Sequence, residues 1–219
     1  MTNENFRHEL FNQFARVGKA LSNHNRLKLL EFIAQGERSV EALADVTGLT
    51  IGNTSQHLQH LRQAGLVAAR KEGLHVYYQL AGDEVIGLVD ALRNVAEKNL
   101  AEVERLVNTY LTTKDSLEPV SARELMDRAR KGLVIVLDVR PANEYAAGHL
   151  AGAVNIPLAD LEKHLDKFGP DKEVVAYCRG PHCILAYDAV VKLRGLGVRA
   201  RRLQGGYPEW KAMGLPVMR

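Results

Sequence analysis

The sequence predicts two domains, a mainly α-helical domain followed by an α/β domain with a parallel sheet. The chain has 219 residues, which is enough for two cores of about 100 residues each. In the first half, apolar residues recur at helical spacing. In the second half, short apolar strands alternate with helical or loop segments, which is typical of a parallel sheet. The predicted ranges are 1–112 for the first domain, 113–119 for a linker and 120–219 for the second domain.

Composition excludes several classes of protein. A hydrophobic content of 46% with 25% charged residues is ordinary for a soluble globular chain. No apolar run approaches the roughly 20 residues that a membrane span requires. The first ten residues, MTNENFRHEL, lack the apolar region of a secretion signal. We therefore expect a cytoplasmic protein with no membrane partner.

The first half contains the pattern of a helix-turn-helix. Two helices come first, one with apolar residues from Leu10 to Leu21 and one from Leu27 to about Gly36. Ser39 then caps a short helix, and Thr47-Gly48 ends it. Another helix runs from about Thr50 to Gly65 and turns three side chains towards the core: Thr54, Leu58 and Leu61.

A β-hairpin and a long helix follow. Residues 66–71 and 74–80 flank Glu72-Gly73 and alternate in polarity, which predicts two paired strands. From Asp83 to Leu111 apolar residues recur at steps of three and four, interrupted by the polar Asn99, which predicts one long helix with an apolar stripe. Such a stripe packs either on a partner helix or on its own domain. The polar segment TTKDSLEP, 112–119, marks the linker.

The segments ALSNHNRLKLLEFI, from Ala20, and SVEALADVTGLTIGNTSQHLQHLRQAGLVAARKEGLHVYYQL, from Ser39, resemble the ArsR/SmtB family of winged-helix repressors. The resemblance implies binding to double-stranded DNA, with the second helix of the turn in the major groove. It also implies a homodimer formed by the long helix and the helix around Phe14. A homodimer in turn implies a roughly palindromic operator.

Nine side chains are candidates for DNA contact. Residues 1–112 carry 12 Lys and Arg against 13 Asp and Glu, so the prediction depends on where a few groups lie rather than on net charge. The candidates are Asn53, Ser55, Gln56, His57, Gln59 and Arg62 on the second helix of the turn, and Arg70, Lys71 and His75 on the hairpin. The alternative for the helix is an ordinary solvated polar face.

Metal sensing is not expected. Many members of the family hold metals through cysteines in the helix before the DNA-reading helix, but residues 39–45 contain neither Cys nor His. The long helix offers Glu97, Glu102 and Glu104 without a histidine, which does not make the ligand set of a zinc sensor. We therefore expect no metal and no cofactor.

The second half resembles the rhodanese family in LDVRPANEYAAGHLAGAVNIPL, VVAYCRGPHC, the helix that follows, and LQGGYPEWKAMGLPV. In that family a cysteine after a central strand begins a tight loop, whose backbone amides stabilise a thiolate or a persulfide. Cys178 has this position. The remaining motif residues are interpreted as framing the pocket or packing the last turn: Asp138, Arg140, Glu144, Gly148, His149, Gly205, Gly206 and Trp210.

The loop departs from the family pattern at its last position. Familiar single-domain rhodaneses have an arginine five residues after the cysteine, and here that residue is Cys183. Loss of the arginine argues against a phosphatase or an arsenate reductase. We expect Arg179 to compensate in part, so the candidate catalytic residues are Cys178, Cys183 and Arg179. Cys183 could resolve a persulfide or sulfenic acid on Cys178 as a disulfide, or could be only a small residue at the start of a helix.

Two functions follow from these observations. The first is a transcriptional regulator, in particular a repressor, that responds to sulfane sulfur or thiol redox state through the Cys178/Cys183 loop. The alternative is a thiosulfate or persulfide sulfurtransferase that carries a DNA-binding or dimerisation domain. Both have a small-molecule sulfur donor or acceptor as partner. A third possibility is a domain without thiol chemistry that serves only as a scaffold.

Overall fold

The computed structural model describes residues 3–112, 119–169 and 172–219. Contacts divide the chain into two compact units, Met1–Val85 and Ile86–Arg219. Residues 113–118, nearly all of the predicted linker, lie outside the described residues. Among the described residues, no helix is long and apolar enough to cross a membrane.

The first unit is a winged helix-turn-helix. Its elements are α1 (Asn3–Leu21), α2 (His24–Ile33), β1 (Arg38–Ser39), α3 (Val40–Thr47), α4 (Ile51–Gln63), β2 (Val67–Glu72) and β3 (His75–Leu80). The strands form an antiparallel sheet in the order β1-β3-β2. Residues Leu29, Leu43, Leu58 and Leu61 are completely buried between the helices. The predicted helix-turn-helix and hairpin are confirmed.

Local capping explains where the two helices of the turn begin and end. The Ser39 hydroxyl accepts a hydrogen bond from the Ala42 amide at the start of α3, and the Thr50 hydroxyl accepts one from the Asn53 amide at the start of α4, both at 3.2 Å. Gly48 ends α3 with φ +71°, a left-handed conformation that favours glycine. These caps separate α3 from α4 and set the start of the polar face of α4.

The hairpin has a two-residue turn. Glu72 pairs with His75, and Gly73 has φ +60°, as the first central residue of a type II′ turn requires. Leu74 beside it is 96% exposed at the tip. Tyr78 on β3 is buried and anchors the hairpin to the helices.

The expectation of one continuous helix from Asp83 to Leu111 is wrong. Helix α5 (Glu84–Asn99) ends before Leu100, whose φ of −112° and ψ of 106° are extended, and α6 (Ala101–Val107) and a π-helical turn (Asn108–Thr112) follow. The side-chain amide of Asn99 donates to the Val95 carbonyl at 2.8 Å. A polar side chain that bonds to the carbonyl four residues back competes with the helical ladder and bends it. The polar residue in the stripe therefore coincides with a break in the helix.

The second unit is a rhodanese-like α/β domain together with most of α5, α6 and the π-helical turn. Its further elements are α7 (Ala122–Arg130), β4 (Val134–Asp138), α8 (Ala142–Ala147), β5 (His149–Leu150), β6 (Val154–Asn155), a 3-10 helix (Leu158–Lys167), β7 (Glu173–Tyr177), α9 (Ile184–Gly195), β8 (Ala200–Arg202), α10 (Tyr207–Ala212) and β9 (Val217–Met218). Strands β6-β4-β7-β8 form a parallel sheet in that order, which confirms the predicted fold class.

Both faces of the sheet are covered, and β7 shows it most clearly. Val174 and Ala176 point into one apolar cluster, while Val175 and Tyr177 point into the other. Successive strand side chains alternate between faces, so a strand buried on both faces is apolar throughout. Cys178 follows β7 directly and belongs to the first cluster. The core of the domain thus fixes the position of Cys178.

Candidate functional site

The predicted DNA-reading helix, α4, presents a polar surface. Thr54, Leu58 and Leu61 are buried, as the periodicity predicts. Four of the candidate residues on this helix are exposed, and two are half-buried. The exposed residues are Asn53, Gln56, Gln59 and Arg62, and the half-buried residues are Ser55 and His57.

His57 is less accessible for contact with DNA than the helical periodicity indicates. Its Nδ1 atom is buried and has no hydrogen-bond partner among the described residues. Burial, followed by the nearby charges of Arg26, His60 and His24, holds the pKa of His57 below its ordinary value of 6.5. The ring is therefore uncharged at neutral pH and brings no positive charge to a phosphate.

The three candidate residues of the hairpin differ in their surroundings. The Arg70 guanidinium forms ion pairs with Glu37, at 2.6 Å, and with Glu72, and it lies 4.7 Å from the centre of the Tyr77 ring. These carboxylates raise the pKa of Arg70. His75 lies 3.6 Å from Glu41. Lys71 is exposed and has no ion pair within the part of the chain that the structure describes.

Cys178 and Cys183 close the loop between β7 and α9 as a disulfide. Their Cα atoms are 6.1 Å apart, within the range that a disulfide spans. Cys178 is fully buried, and Cys183 is the N-cap residue of α9. The sulfur of Cys178 is therefore held at the N-terminus of a helix, where a negative charge is stabilised.

The Arg179 side chain forms an ion pair with Glu144, and its catalytic role stays a prediction. Its guanidinium donates to both carboxylate oxygens of Glu144 at 2.8–3.1 Å, and Glu144 is only 2% exposed. This bidentate ion pair ties the beginning of the loop to α8.

A buried polar network joins the end of β4 to Tyr177, the residue before Cys178. Arg140 is fully buried and donates to Asp138 at 2.6 Å and to the Gly148 carbonyl at 2.7 Å. The Tyr177 hydroxyl donates to Asp138 through a short hydrogen bond and accepts one from the Leu150 amide at 3.1 Å. Burial and the Asp138 charge raise the pKa of Tyr177. These contacts agree with the interpretation of the first motif as framing residues.

The LQGGYPEW segment packs directly against the cysteine loop. The Tyr207 amide donates to the Cys178 carbonyl at 3.1 Å. A Cβ atom on Gly206 would lie 2.5 Å from the Cys178 carbonyl oxygen and 2.6 Å from the Arg179 carbonyl carbon. Only glycine fits at this position, because the backbone of the loop occupies the space of a side chain.

Sequence reasoning missed three residues near the loop. Glu209 is assigned no role by any motif, Arg93 appears only within the long helix, and Glu97 is considered only as a metal ligand. Arg93 and Glu209 lie 3.4 Å apart but 116 residues apart in the chain, so no local pattern could pair them.

Among the described residues no cluster of three or more His, Cys, Asp or Glu has a geometry suited to a metal ion.

Comparisons with known proteins agree with both halves of this geometry. Residues 23–69 match the profile of bacterial regulatory proteins of the arsR family, and residues 121–213 match that of the rhodanese-like domain. The HTH-type transcriptional regulator Rv0324 of Mycobacterium tuberculosis is 44% identical over 208 residues, which cover 95% of this chain and 91% of that protein. The chain belongs to the ArsR family of bacterial regulatory proteins. This ArsR-family transcriptional regulator carries a rhodanese-like domain, so both resemblances seen in the sequence are confirmed.

Two further similarities each cover about half of the ArsR-family regulator. The uncharacterized protein YqhL of Bacillus subtilis is 30% identical over 106 residues, covering 48% of this chain and 81% of that protein. A solved fragment of Mb0332 from Mycobacterium bovis, described as a homodimeric winged helix-turn-helix DNA-binding domain, is 43% identical and covers 47% of this chain and 93% of the fragment, with a TM-score of 0.42.

Proposed function

We propose that this ArsR-family regulator binds a roughly palindromic DNA operator as a homodimer, and that thiol chemistry at Cys178 and Cys183 changes its affinity for that DNA. The observation that carries the proposal is the pairing of the two cysteines in the loop where rhodaneses hold sulfur. A regulator of this kind acts in the compartment that holds the DNA, and we therefore propose the cytoplasm as its location.

The surface of α4 supports DNA binding. Its exposed Asn53, Gln56 and Gln59 side chains suit base edges in the major groove, where Asn and Gln can bond to adenine with two hydrogen bonds. Arg62 at the end of α4 and Lys71 on the wing are exposed cations that suit phosphates and would fix the register on the duplex.

The exposed apolar face of α1 supports the homodimer. Phe6, Phe11 and Phe14 are 55–59% exposed, and Leu10 is 37% exposed. Scattered apolar residues on a surface are common, but four large ones on one helix form a patch that favours an interface. A two-fold dimer would place two copies of α4 on successive turns of the duplex.

The proposed chemistry begins with sulfur transfer. The Cys178 thiolate attacks the outer sulfur of a persulfide donor RSSH, which forms a Cys178 persulfide and releases the thiol RSH. The Cys183 thiolate then attacks the inner sulfur of that persulfide, on Cys178, which forms the Cys178–Cys183 disulfide and expels hydrosulfide. Two equivalents of a cellular thiol reduce the disulfide and are themselves oxidised to a disulfide. The helix N-terminus beside Cys178 stabilises the anionic thiolate and persulfide.

Fluorescence anisotropy on DNA from upstream of the protein's own gene tests the proposal. The reduced protein and the protein treated with a persulfide donor are compared at fixed salt, because phosphate contacts depend on salt. We expect a several-fold change in Kd that is absent in Cys178→Ser. In Cys183→Ser we expect a persulfide on Cys178 without disulfide formation. Equal Kd values for the two states of the wild type would contradict the proposal.

A sulfurtransferase is the second candidate, because the buried network of Asp138, Arg140 and Tyr177 extends to the residue directly before Cys178. Transfer of sulfur from thiosulfate to cyanide, measured as thiocyanate, tests it. Turnover that is lost in Cys178→Ser, together with unchanged DNA affinity, would favour the enzyme over the regulator.

A further inference from the structure

We propose that helix α5 senses the state of the Cys178–Cys183 loop through two polar contacts, one from His182 to Glu97 and one from the Gly206–Glu209 segment to Arg93. The inference rests on the proposed function and names the route by which thiol chemistry leaves the rhodanese-like domain. Both contacts lie inside the second compact unit, Ile86–Arg219.

The first contact comes from the tip of the loop. His182 Nε2 lies 3.1 Å from Glu97 Oε1. Burial holds the pKa of His182 below its ordinary value, and the Glu97 charge opposes this effect, so the ring and the carboxylate are electrostatically coupled. Only four residues separate Cys178 from Cys183, and Pro181 restricts the backbone among them. A loop this short moves its tip when the bond between its two ends forms or breaks.

The second contact comes from the base of the loop. The Cys178 carbonyl accepts from the Tyr207 amide, and the backbone at residues 178–180 fills the space over Gly206. The Gly206 amide donates to Glu209 Oε2 at 2.8 Å, and the other carboxylate oxygen of Glu209 lies 3.4 Å from Arg93 Nη1. A displacement of the loop backbone is therefore passed to Glu209 and from there to α5.

Burial makes this second contact sensitive to its geometry. The Glu209 side chain is only 12% exposed, so solvent screens its interaction with Arg93 weakly. Arg93 also pairs with Asp90 at 2.7 Å. Burial and the neighbouring Asp90 raise the pKa of Glu209, and burial also raises the pKa of Asp90. The carboxylates of Asp90 and Glu209 thus share the Arg93 guanidinium. A small movement of Glu209 therefore changes which of the two carboxylates Arg93 pairs with more strongly.

A cavity of about 490 Å³ lies beside both contacts, lined among others by Arg93, Glu97, His182, Gly206 and Glu209. This volume is many times the roughly 30 Å³ of a water molecule, so the loop tip has room to move without a steric clash.

Helix α5 begins at Glu84, shortly after the wing strand β3 ends at Leu80. A change in α5 therefore reaches the wing along a short stretch of chain.

The test uses the full chain and the double variant Arg93→Gln, Glu97→Gln. Hydrogen exchange of residues 86–99 is measured in the reduced protein and in the protein carrying the disulfide, and mass spectrometry verifies the thiol state. In the wild type we expect at least a several-fold difference in exchange rate between the states. In the double variant we expect that difference to vanish while the disulfide still forms. The matched control is Glu102→Gln, Arg105→Gln on α6, which removes the same charges from exposed positions and should behave as wild type.

DNA affinity, measured on the same samples, separates this inference from the proposed function. Exchange that depends on the thiol state, together with constant DNA affinity, would refute the proposed function and leave the inference in place. Exchange at 86–99 that is equal in the two states of the wild type would overturn the inference. A state-dependent difference that survives in the double variant would overturn it as well, because the signal would then use other contacts.

Discussion

At the scale of a single residue, Arg140 forms a buried ion pair that stabilises the rhodanese-like domain. Its charge is fully buried and is compensated by Asp138. Removing one partner of a buried ion pair costs about 3–5 kcal/mol, because the other charge stays buried without compensation. We therefore predict that Asp138→Asn lowers the free energy of unfolding of this domain by about that amount, as measured by urea denaturation followed by circular dichroism.

The matched control for this variant is Asp160→Asn. Asp160 pairs with Lys163 at 2.8 Å on the surface, and surface ion pairs contribute little to stability. We expect its urea midpoint to equal that of the wild type. Equal midpoints for Asp138→Asn and the wild type would contradict the structural role of the buried pair.

His57 gives the first unit a pH-dependent stability. Its pKa is lowered in the folded state, so the unfolded chain takes up a proton more readily than the folded chain does. The first unit should therefore lose stability as pH falls below 6.5 towards the folded-state pKa. We predict that His57→Gln reduces this loss, measured as urea midpoints between pH 8 and pH 5.5. Parallel curves for the two proteins would refute this role of His57.

The residue scale also shows the limits of sequence reasoning. The periodicity of α4 correctly separates Thr54, Leu58 and Leu61 from the polar face, because a helix repeats regularly. It cannot foresee that Arg70 pairs with Glu37 or that Arg179 pairs with Glu144, since each partner lies more than 30 residues away in sequence. A motif gives the position of a charge in the chain, and tertiary structure decides which groups it faces.

At the scale of elements, the wing provides a comparison between two adjacent cations. Arg70 is already neutralised by two carboxylates, whereas Lys71 has no ion pair among the described residues. We predict that Lys71→Ala weakens DNA binding and lowers the slope of log Kd against log salt by about 1, as expected for one lost phosphate contact. Arg70→Ala should change the slope by less. A larger effect of Arg70→Ala on the slope would show that DNA displaces its carboxylate partners.

Elements also differ in how well the sequence predicts them. Strands β4 and β7 are mainly apolar runs and are readily predicted, whereas β5, β6 and β9 have two residues each and are too short to produce a pattern. The break at Leu100 is not predicted by the pattern, because the apolar spacing continues across it and only the Asn99 side chain gives a local signal. The linker at 113–119 remains a prediction from composition.

At the scale of the whole molecule, the exposed face of α1 bears on assembly. Phe14 is 58% exposed and lies on the proposed dimer surface. We predict that Phe14→Asp shifts the protein from dimer to monomer at micromolar concentration, because the interface would have to bury a charge. Sedimentation equilibrium measures the molar mass, and DNA affinity should fall with it.

The control for the assembly experiment is Asn12→Asp, which adds the same charge to an exposed polar position of α1 and should leave the molar mass unchanged. A monomeric wild type would refute the homodimer. A dimeric Phe14→Asp variant would show that the interface does not depend on this face of α1. The apolar residues of α5 and α6 would then be the candidates for the interface.

The short spacing of the two cysteines also has a kinetic consequence. Because Cys178 and Cys183 belong to one loop, ring closure is a unimolecular step whose rate does not depend on how many copies of the protein a cell contains. Two cysteines on separate chains would instead have to meet by diffusion, and a scarce protein would respond slowly. Under the proposed function, a regulator present at a few molecules per cell would therefore respond as quickly as an abundant one, and the supply of the sulfur donor would set the rate.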